Sequence, residues 1–245
     1  MENQSQFCHL AGSPFLDTLN VTKVYRTGNQ AVPALRDVTF SAHQGDFVVI
    51  NGPSGSGKTT FLNLISVIDR PTEGEVRIEG RPTSRLSEGQ LATLRKEKIG
   101  LVFQSFNLIP VLSALENVEY PLILQRIRKA DRRERVRSLL AEVGIEDLMA
   151  RRPNELSGGQ RQRVAIARAL ITRPKMVLAD EPTANLDSET GGVVMQLMRT
   201  LNQEHCVVFI IVTHDPAVAA YAKRQIAIRD GILEETPDVV DAAAS

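Results

Sequence analysis

Apolar residues along this chain fall into two patterns that alternate. Short unbroken runs, Phe47–Asn51, Ile99–Phe103, Met176–Ala179 and Val207–Val212, have the length of strands buried on both faces. Between them lie longer stretches with helical spacing. Val136, Leu139, Leu140 and Val143 recur at three- and four-residue intervals within Ala130–Val143, one apolar face of a helix. Helices are also predicted from Lys58 to about Ile68, over Gln160–Ile171 and over Ser188–Glu204, the last long enough to be a crossover. Before the first apolar run, Leu19, Val21, Leu35, Val38 and Phe40 stand among polar residues, with turns at Gly28-Asn29 and Gly45-Asp46, so Leu16–Phe47 reads as strands. Pro71–Gly80 reads as a turn and a further strand, Glu75–Ile78. Alternating buried strands and helices predict an α/β domain with a mainly parallel sheet, and the helical block from Asn107 to Pro153 reads as an inserted lobe.

Composition narrows this little. The chain has 245 residues, 42% apolar and 24% charged, which fits one large globular domain and excludes disordered, collagen-like or disulfide-scaffold descriptions of the whole. Lys+Arg and Asp+Glu are both 29, so the net charge is zero and no general nucleic-acid binder is indicated. No run reaches the roughly 18 apolar residues of a membrane span. The first ten residues carry an early acid, Glu2, and no apolar core, so a secretory signal is not expected. Cys8 and Cys206, far apart and forming no CxxC, suggest a reducing compartment. Residues 1–15 and 236–245 read as tails around one domain, 16–235.

The chemistry begins where Phe47–Asn51 ends. Gly52-Pro53-Ser54-Gly55-Ser56-Gly57-Lys58-Thr59 fits G-x-x-x-x-G-K-[ST] between an apolar strand and a helix, with Thr60 next. Glycines let the backbone turn so that successive N–H groups point at phosphate oxygens, and the helix N-terminus adds partial positive charge. Lys58 can reach β- and γ-phosphates, and the Thr59 hydroxyl can ligate Mg²⁺. A second apolar strand, Met176–Ala179, runs into Asp180 and Glu181. Asp180 is placed to hold Mg²⁺, and Glu181 to accept a proton from, or orient, an attacking water. Ser157, Gly158, Gly159 and Gln160 open the next helix, either as a further anion site or as an ordinary N-cap.

The ordered set Leu156–Leu170 (LSGGQRQRVAIARAL), Leu178–Asp187 (LADEPTANLD) and Val212–Asp215 (VTHD) resembles the ATP-binding cassette family of transporter ATPases, over about Leu16 to Glu235. The resemblance implies a P-loop core with an antiparallel β lobe and a helical lobe, the latter at about residues 105–157. It implies an ATP-hydrolysing subunit using Mg²⁺, dimerising head to tail around two nucleotides. By that resemblance Tyr25 stacks on adenine, and Gln104 senses Mg²⁺ and the attacking water. Ser157 to Gln160 reach the nucleotide held by the partner copy, Asp187 closes the segment linking the two sites, and His214 contacts the γ-phosphate. Glu181, His214, Gln104 and Lys58 form the implied catalytic set, and Thr59, Gln104 and Asp180 the metal set.

Asn185, where many members have alanine, is similar to one branch, the lipoprotein-release and macrolide-efflux type. That likeness implies integral-membrane permease subunits, an amphiphilic substrate (lipid, lipoprotein, peptide or drug-like), and a peripheral place on the cytoplasmic face of the cell membrane. The alternative is a non-transport mechanical ATPase acting through membrane partners in cell division or envelope remodelling. No nucleic-acid partner is expected, since the coiled-coil insertions, zinc cysteines and tandem cassettes of DNA- and ribosome-acting members are absent from the sequence. Phe106, Leu108, Ile109, Pro110 and Leu112, close behind Gln104, are divided between a partner-docking surface and the helical lobe's own core. The basic run Arg126–Arg137 reads as a solvated helix face rather than as a segment drawn to anionic lipid headgroups.

Overall fold

Val208, Ile210 and Val212 alternate with Phe209 and Ile211 along one strand, and all five are fully buried. Such a strand needs cover on both faces. In the computed structural model, which describes residues 12–28 and 30–235, it receives that cover. The chain runs β1 (Leu16–Thr27), β2 (Gln30–Ala42), β3 (Phe47–Asn51), α1 (Lys58–Ile65), β4 (Glu73–Ile78), β5 (Arg81–Pro82), α2 (Glu88–Lys98) and β6 (Ile99–Val102). It continues through α3 (Ala114–Leu124), α4 (Lys129–Glu142), α5 (Gly158–Leu170), β7 (Met176–Asp180), α6 (Ser188–His205), β8 (Val208–Thr213), α7 (Pro216–Ala219), β9 (Arg224–Arg229) and β10 (Ile232–Glu235).

Two sheets result. One has six strands in the order β10-β9-β3-β8-β7-β6, parallel except for the β9–β10 hairpin. The other is antiparallel, in the order β2-β1-β4-β5. On one face of the six-stranded sheet Phe47, Val49, Val177, Phe209 and Ile211 pack with Val118, Leu140, Ile166 and Met198 of α3 to α6. On the other, Val48, Ile50, Leu178 and Ile210 pack with Phe61 and Ile65 of α1 and with Leu35 and Phe40 of the antiparallel sheet. Phe40 meets Phe61 edge to face, with centroids 5.6 Å apart. The helix α1 is thus clamped between the sheets, which fixes its first turn in space.

The helical insertion is built as its spacing predicts. Val136, Leu139 and Leu140 are the buried residues of α4. The α3–α4 pair is tied by Arg132 and Glu119, 2.9 Å apart and little exposed. Asn117, fully buried on α3, donates to the carbonyls of Ile109, Leu112 and Ser113 and accepts the N–H of Ile109, so it shapes the irregular segment after β6. α1 ends earlier than predicted, at Ile65, and Val67 turns the chain at φ 53. Residues 1–11, Asn29 and 236–245, hence most of the expected tails, Cys8 and half of the Gly28-Asn29 turn, lie outside the described residues. Cys206 is not a free thiol, which removes the basis for the compartment inference. No helix among the described residues is long and apolar enough to cross a membrane.

Candidate functional site

Parallel strands deliver their C-terminal ends to one edge of a sheet, the usual place for a ligand crevice. Here β3 delivers the glycine loop, β6 leads to Gln104, β7 ends on Asp180 and Glu181, and β8 on Thr213 and His214. Pro53, Ser54, Gly55, Gly57, Lys58, Thr59 and Thr60 line a cavity of about 600 Å³ together with Gln104, Asp180, Glu181, His214 and Ala34, the last without a role from sequence.

Gly57 precedes α1 at φ 107, and a Cβ there would lie 2.6 Å from the Ala34 carbonyl, so only glycine fits. No side chain caps this helix and no acid stands in its first turn. Lys58 is 8% exposed, and its ammonium donates to the carbonyls of Gly52 at 2.7 Å and Pro53 at 2.9 Å. The buried Ser56 hydroxyl finds no partner. Uncapped amides, a buried cation and a spare hydroxyl suit a phosphate chain. Thr59, Asp180 and Gln104 offer the hard oxygen donors that Mg²⁺ prefers. Burial, and then the neighbouring Glu181 carboxylate, push the Asp180 carboxyl above its ordinary range, with Lys58 pulling against them. A divalent cation would relieve that crowding, so these residues fit it.

Glu181 stands in the left-handed region at φ 47, with its N–H on the Val212 carbonyl at 2.9 Å. Its Oε1 meets His214 Nδ1 at 2.7 Å, and its Oε2 accepts from the Thr213 hydroxyl at 2.9 Å. Gln104 is bound through its backbone: its carbonyl accepts from the Asn185 side-chain amide at 2.8 Å. Behind it, Arg168 donates to the carbonyls of Phe106 and Asn107, both at positive φ, which stabilises a bend that β-carbons disfavour.

The glycine-helix residues form a second surface, outside the cavity. Ser157 accepts the N–H of Gln160 while Gln160 accepts that of Ser157, a full capping box. Of the two sequence readings, the N-cap is therefore present. It leaves the Ser157 hydroxyl proton and the amides of Gly158 and Gly159 uncommitted. A Cβ on Gly159 would come within 2.4 Å of the Thr190 methyl, so glycine lets α5 lie against the start of α6. Asp187 caps α6; the N–H of Thr190 and then its hydroxyl hold the Asp187 carboxyl below the ordinary range. Ser157–Gln160 and Asp187–Thr190 are thus one continuous surface.

Tyr25 does not line the cavity. Its hydroxyl donates to Asp69 at 3.1 Å, and the Lys23 ammonium lies 5.0 Å from its ring centroid. Phe106 is buried, with the Arg161 guanidinium over its ring, and Leu108 packs on the core, so these two belong to the lobe's interior. Pro110 is exposed, as are the larger apolar residues Val111, Tyr120, Ile123 and Leu124, and a groove beside α3 is lined by Ile68, Leu101, Phe103, Pro121 and Leu124 together with Arg95, Lys96 and Arg168. A further cavity of about 590 Å³ between α4 and α6 holds none of the predicted residues.

A family model described as ABC transporter matches residues 35–184. The chain is 49% identical over 219 residues to the uncharacterized ABC transporter ATP-binding protein MJ0796 of Methanocaldococcus jannaschii, covering 88% of this chain and 93% of that protein. It is 47% identical over 221 residues to the macrolide export ATP-binding/permease protein MacB of Syntrophobacter fumaroxidans, covering 89% of this chain and 31% of that longer protein. The dimeric, post-hydrolysis structure of MJ0796 bound to ADP and Pi matches with a TM-score of 0.84 at 46% identity, over 92% of this chain and 99% of that one. CbiO1 of Clostridium perfringens, part of the CbiONQ transporter complex, matches with a TM-score of 0.82 at 27% identity, over 91% of this chain and 88% of that one. Likeness of this extent, along the whole described fold, leaves one placement: the chain belongs to the ABC transporter family, as an ATP-binding and ATP-hydrolysing subunit.

Proposed function

We propose that this subunit hydrolyses Mg-ATP in a sandwich of two copies and drives permease partners that export or extract an amphiphile at the cytoplasmic face of the membrane. The observation that carries the reading is the single cavity in which Lys58, Thr59, Gln104, Asp180, Glu181 and His214 converge. Domain limits of 16–235, with a helical lobe at about 105–157, agree with it. The phosphates lie along Gly52–Thr60, where loop amides and Lys58 hold them. Thr59, Asp180 and Gln104 would hold Mg²⁺, which would offset the negative charge of the phosphate oxygens. Water attacks the γ-phosphorus. As the new P–O bond forms, the bond to the β-phosphate oxygen breaks and ADP leaves. Glu181 takes the water's proton, and His214 contacts the transferred group. Tyr25 serves adenine after releasing Asp69.

Ser157–Gln160 and Asp187 then act on the partner's nucleotide. Their separation from the cavity within one chain supports this, because a surface that completes a site only across a two-fold axis has to lie elsewhere in the monomer. The groove beside α3, next to Gln104, is the permease surface; its lining of apolar residues with Arg95, Lys96 and Arg168 suits an amphipathic helix. The macrolide exporter among the relatives favours amphiphile export over a non-transport mechanical role.

Glu181→Gln keeps shape but removes the proton acceptor, so ATP persists and holds two copies together. Size-exclusion chromatography with Mg-ATP should show a dimer in this variant and a monomer without nucleotide. Monomeric elution with ATP bound would refute the sandwich.

A further inference from the structure

The two oxygens of Glu181 are held by unlike partners. Oε1 meets His214, whose side chain is 64% exposed and lines the cavity. Oε2 meets the hydroxyl of Thr213, a residue with no exposed surface at the end of β8. That hydroxyl has its own direction fixed. It accepts the N–H of Asp215 at 3.0 Å, so its single proton is left for Glu181 at 2.9 Å. Around this pair the backbone is also tied. Asp180 stands opposite Val212 in the parallel register, and the Glu181 N–H bonds the Val212 carbonyl at 2.9 Å. The left-handed φ of Glu181, 47, is unfavourable for a residue with a side chain and persists where surroundings hold it.

We propose that Thr213 is a positioning residue for hydrolysis: its hydroxyl occupies Oε2 of Glu181 and so presents Oε1 to the attacking water. The inference rests on the reading of Glu181 as proton acceptor. A glutamate's last torsion is broad and two-fold, so a carboxylate held at one oxygen only by an exposed imidazole can exchange its oxygens. When His214 turns to the γ-phosphate, Oε1 loses its partner and becomes the free acceptor. Oε2 keeps its hydrogen bond throughout, because Thr213 belongs to the buried strand and does not turn. The threonine thus spares the carboxylate a search for its reactive orientation at the moment of reaction, the economy that preorganised groups supply.

The test is steady-state Mg-ATP hydrolysis by the purified chain carrying Thr213→Val, Thr213→Ser or Thr213→Cys, with Glu181→Gln alongside. Valine keeps the volume and removes the donor, so kcat should fall about 10-fold, the weight of one hydrogen bond to a charged group. KM for ATP should stay within about 2-fold, because no phosphate contact is touched. Serine, which keeps the hydroxyl, should restore kcat. Cysteine, a weaker donor, should fall between serine and valine, and this ranking still decides the matter if the valine variant melts below the assay temperature. Adding Thr213→Val to Glu181→Gln should cost nothing further. Equal kcat across serine, cysteine and valine overturns the proposal, as does a loss that serine does not rescue. Normal turnover by Glu181→Gln would instead overturn the proton-acceptor reading itself, whatever the Thr213 variants do.

Discussion

Helices α1 and α5 both start at glycines beside small polar residues, yet their first turns are finished differently. At α1 the N-cap is Gly57, with no side-chain hydrogen bond, and the next residue is the buried Lys58. At α5 the N-cap is the exposed Ser157, reciprocally bonded with Gln160. The first terminus spends nothing on itself. Its amides and its cation face a cavity that the same chain closes with Asp180 and Glu181. Leaving helix amides uncapped costs stability, on the order of 1 kcal/mol relative to a good cap, and a binding site is a reason to bear it. The second terminus is already stable in the monomer and keeps only a hydroxyl proton and two glycine amides in hand. Two helix starts that look alike in sequence thus differ in structure, one uncapped at the cavity and one capped outside it, as the proposed cradle and half-site require.

The contrast breaks most visibly at Lys58. Lys58→Ala should lower turnover by about 10²–10³-fold and weaken ATP binding by the monomer, measured by calorimetry and phosphate release. Near-normal values would mean α1 is no cradle. Ser157→Ala should act on the other side of the comparison. Monomer affinity for ATP should stay unchanged, while ATP-dependent dimerisation in the Glu181→Gln background and hydrolysis in the wild-type background weaken by about 10-fold. Loss of the cap should lower the melting temperature by about 2–4 °C. Weaker ATP binding by the isolated subunit would erase the distinction between the two termini. The smallest effect concerns the charge opposite α1. Asp180 has a carboxyl held above its usual value by burial and by Glu181, so its ionised form opposes folding at neutral pH. Asp180→Asn should therefore melt higher than wild type at pH 7. The gap should close as pH falls through the raised folded value, where the native carboxyl takes up its proton before the unfolded one does. Thermal melts across pH 3.5–7 would read it, and a gap that widens on acidification would reverse the assignment.

Much of this was legible in the sequence because the signals were physical and redundant. β3, β7 and β8 are buried on both faces, so they appear as unbroken apolar runs, and all three lead into residues that line the cavity. α2 was silent for the opposite reason: only Leu91 of its eleven residues is buried, so it has almost no apolar face to betray it. The split reading of Phe106–Leu112 had a similar cause. Proximity to Gln104 suggested a surface, but Arg161 and Arg168 on α5, some sixty residues later in the chain, fold Phe106 inward. Tyr25 could be aligned with a family pattern while its partner, Asp69, is set by the pairing of separate elements. Thr213 went unread although it stood in plain view beside His214. A hydroxyl closing an apolar strand gives no pattern of its own, and its meaning depends on Glu181 arriving from the neighbouring strand.

The hydrogen bond from Asn185 to the Gln104 carbonyl has a consequence for signalling between copies. Asn185 lies two residues before Asp187, on the surface assigned to the partner, whereas Gln104 lines the cavity of its own chain. An alanine at 185 has no group with which to make this link. In a two-fold pair the link occurs twice, and with the two shared nucleotides it closes a ring: cavity, tether, partner's cavity, partner's tether. A ring of that kind has no upstream and no downstream member. If the proposed sandwich forms, occupancy at either nucleotide would be felt at the other by equal amounts, as reciprocity of coupled binding demands. Such a pair would behave as one circuit with two inputs.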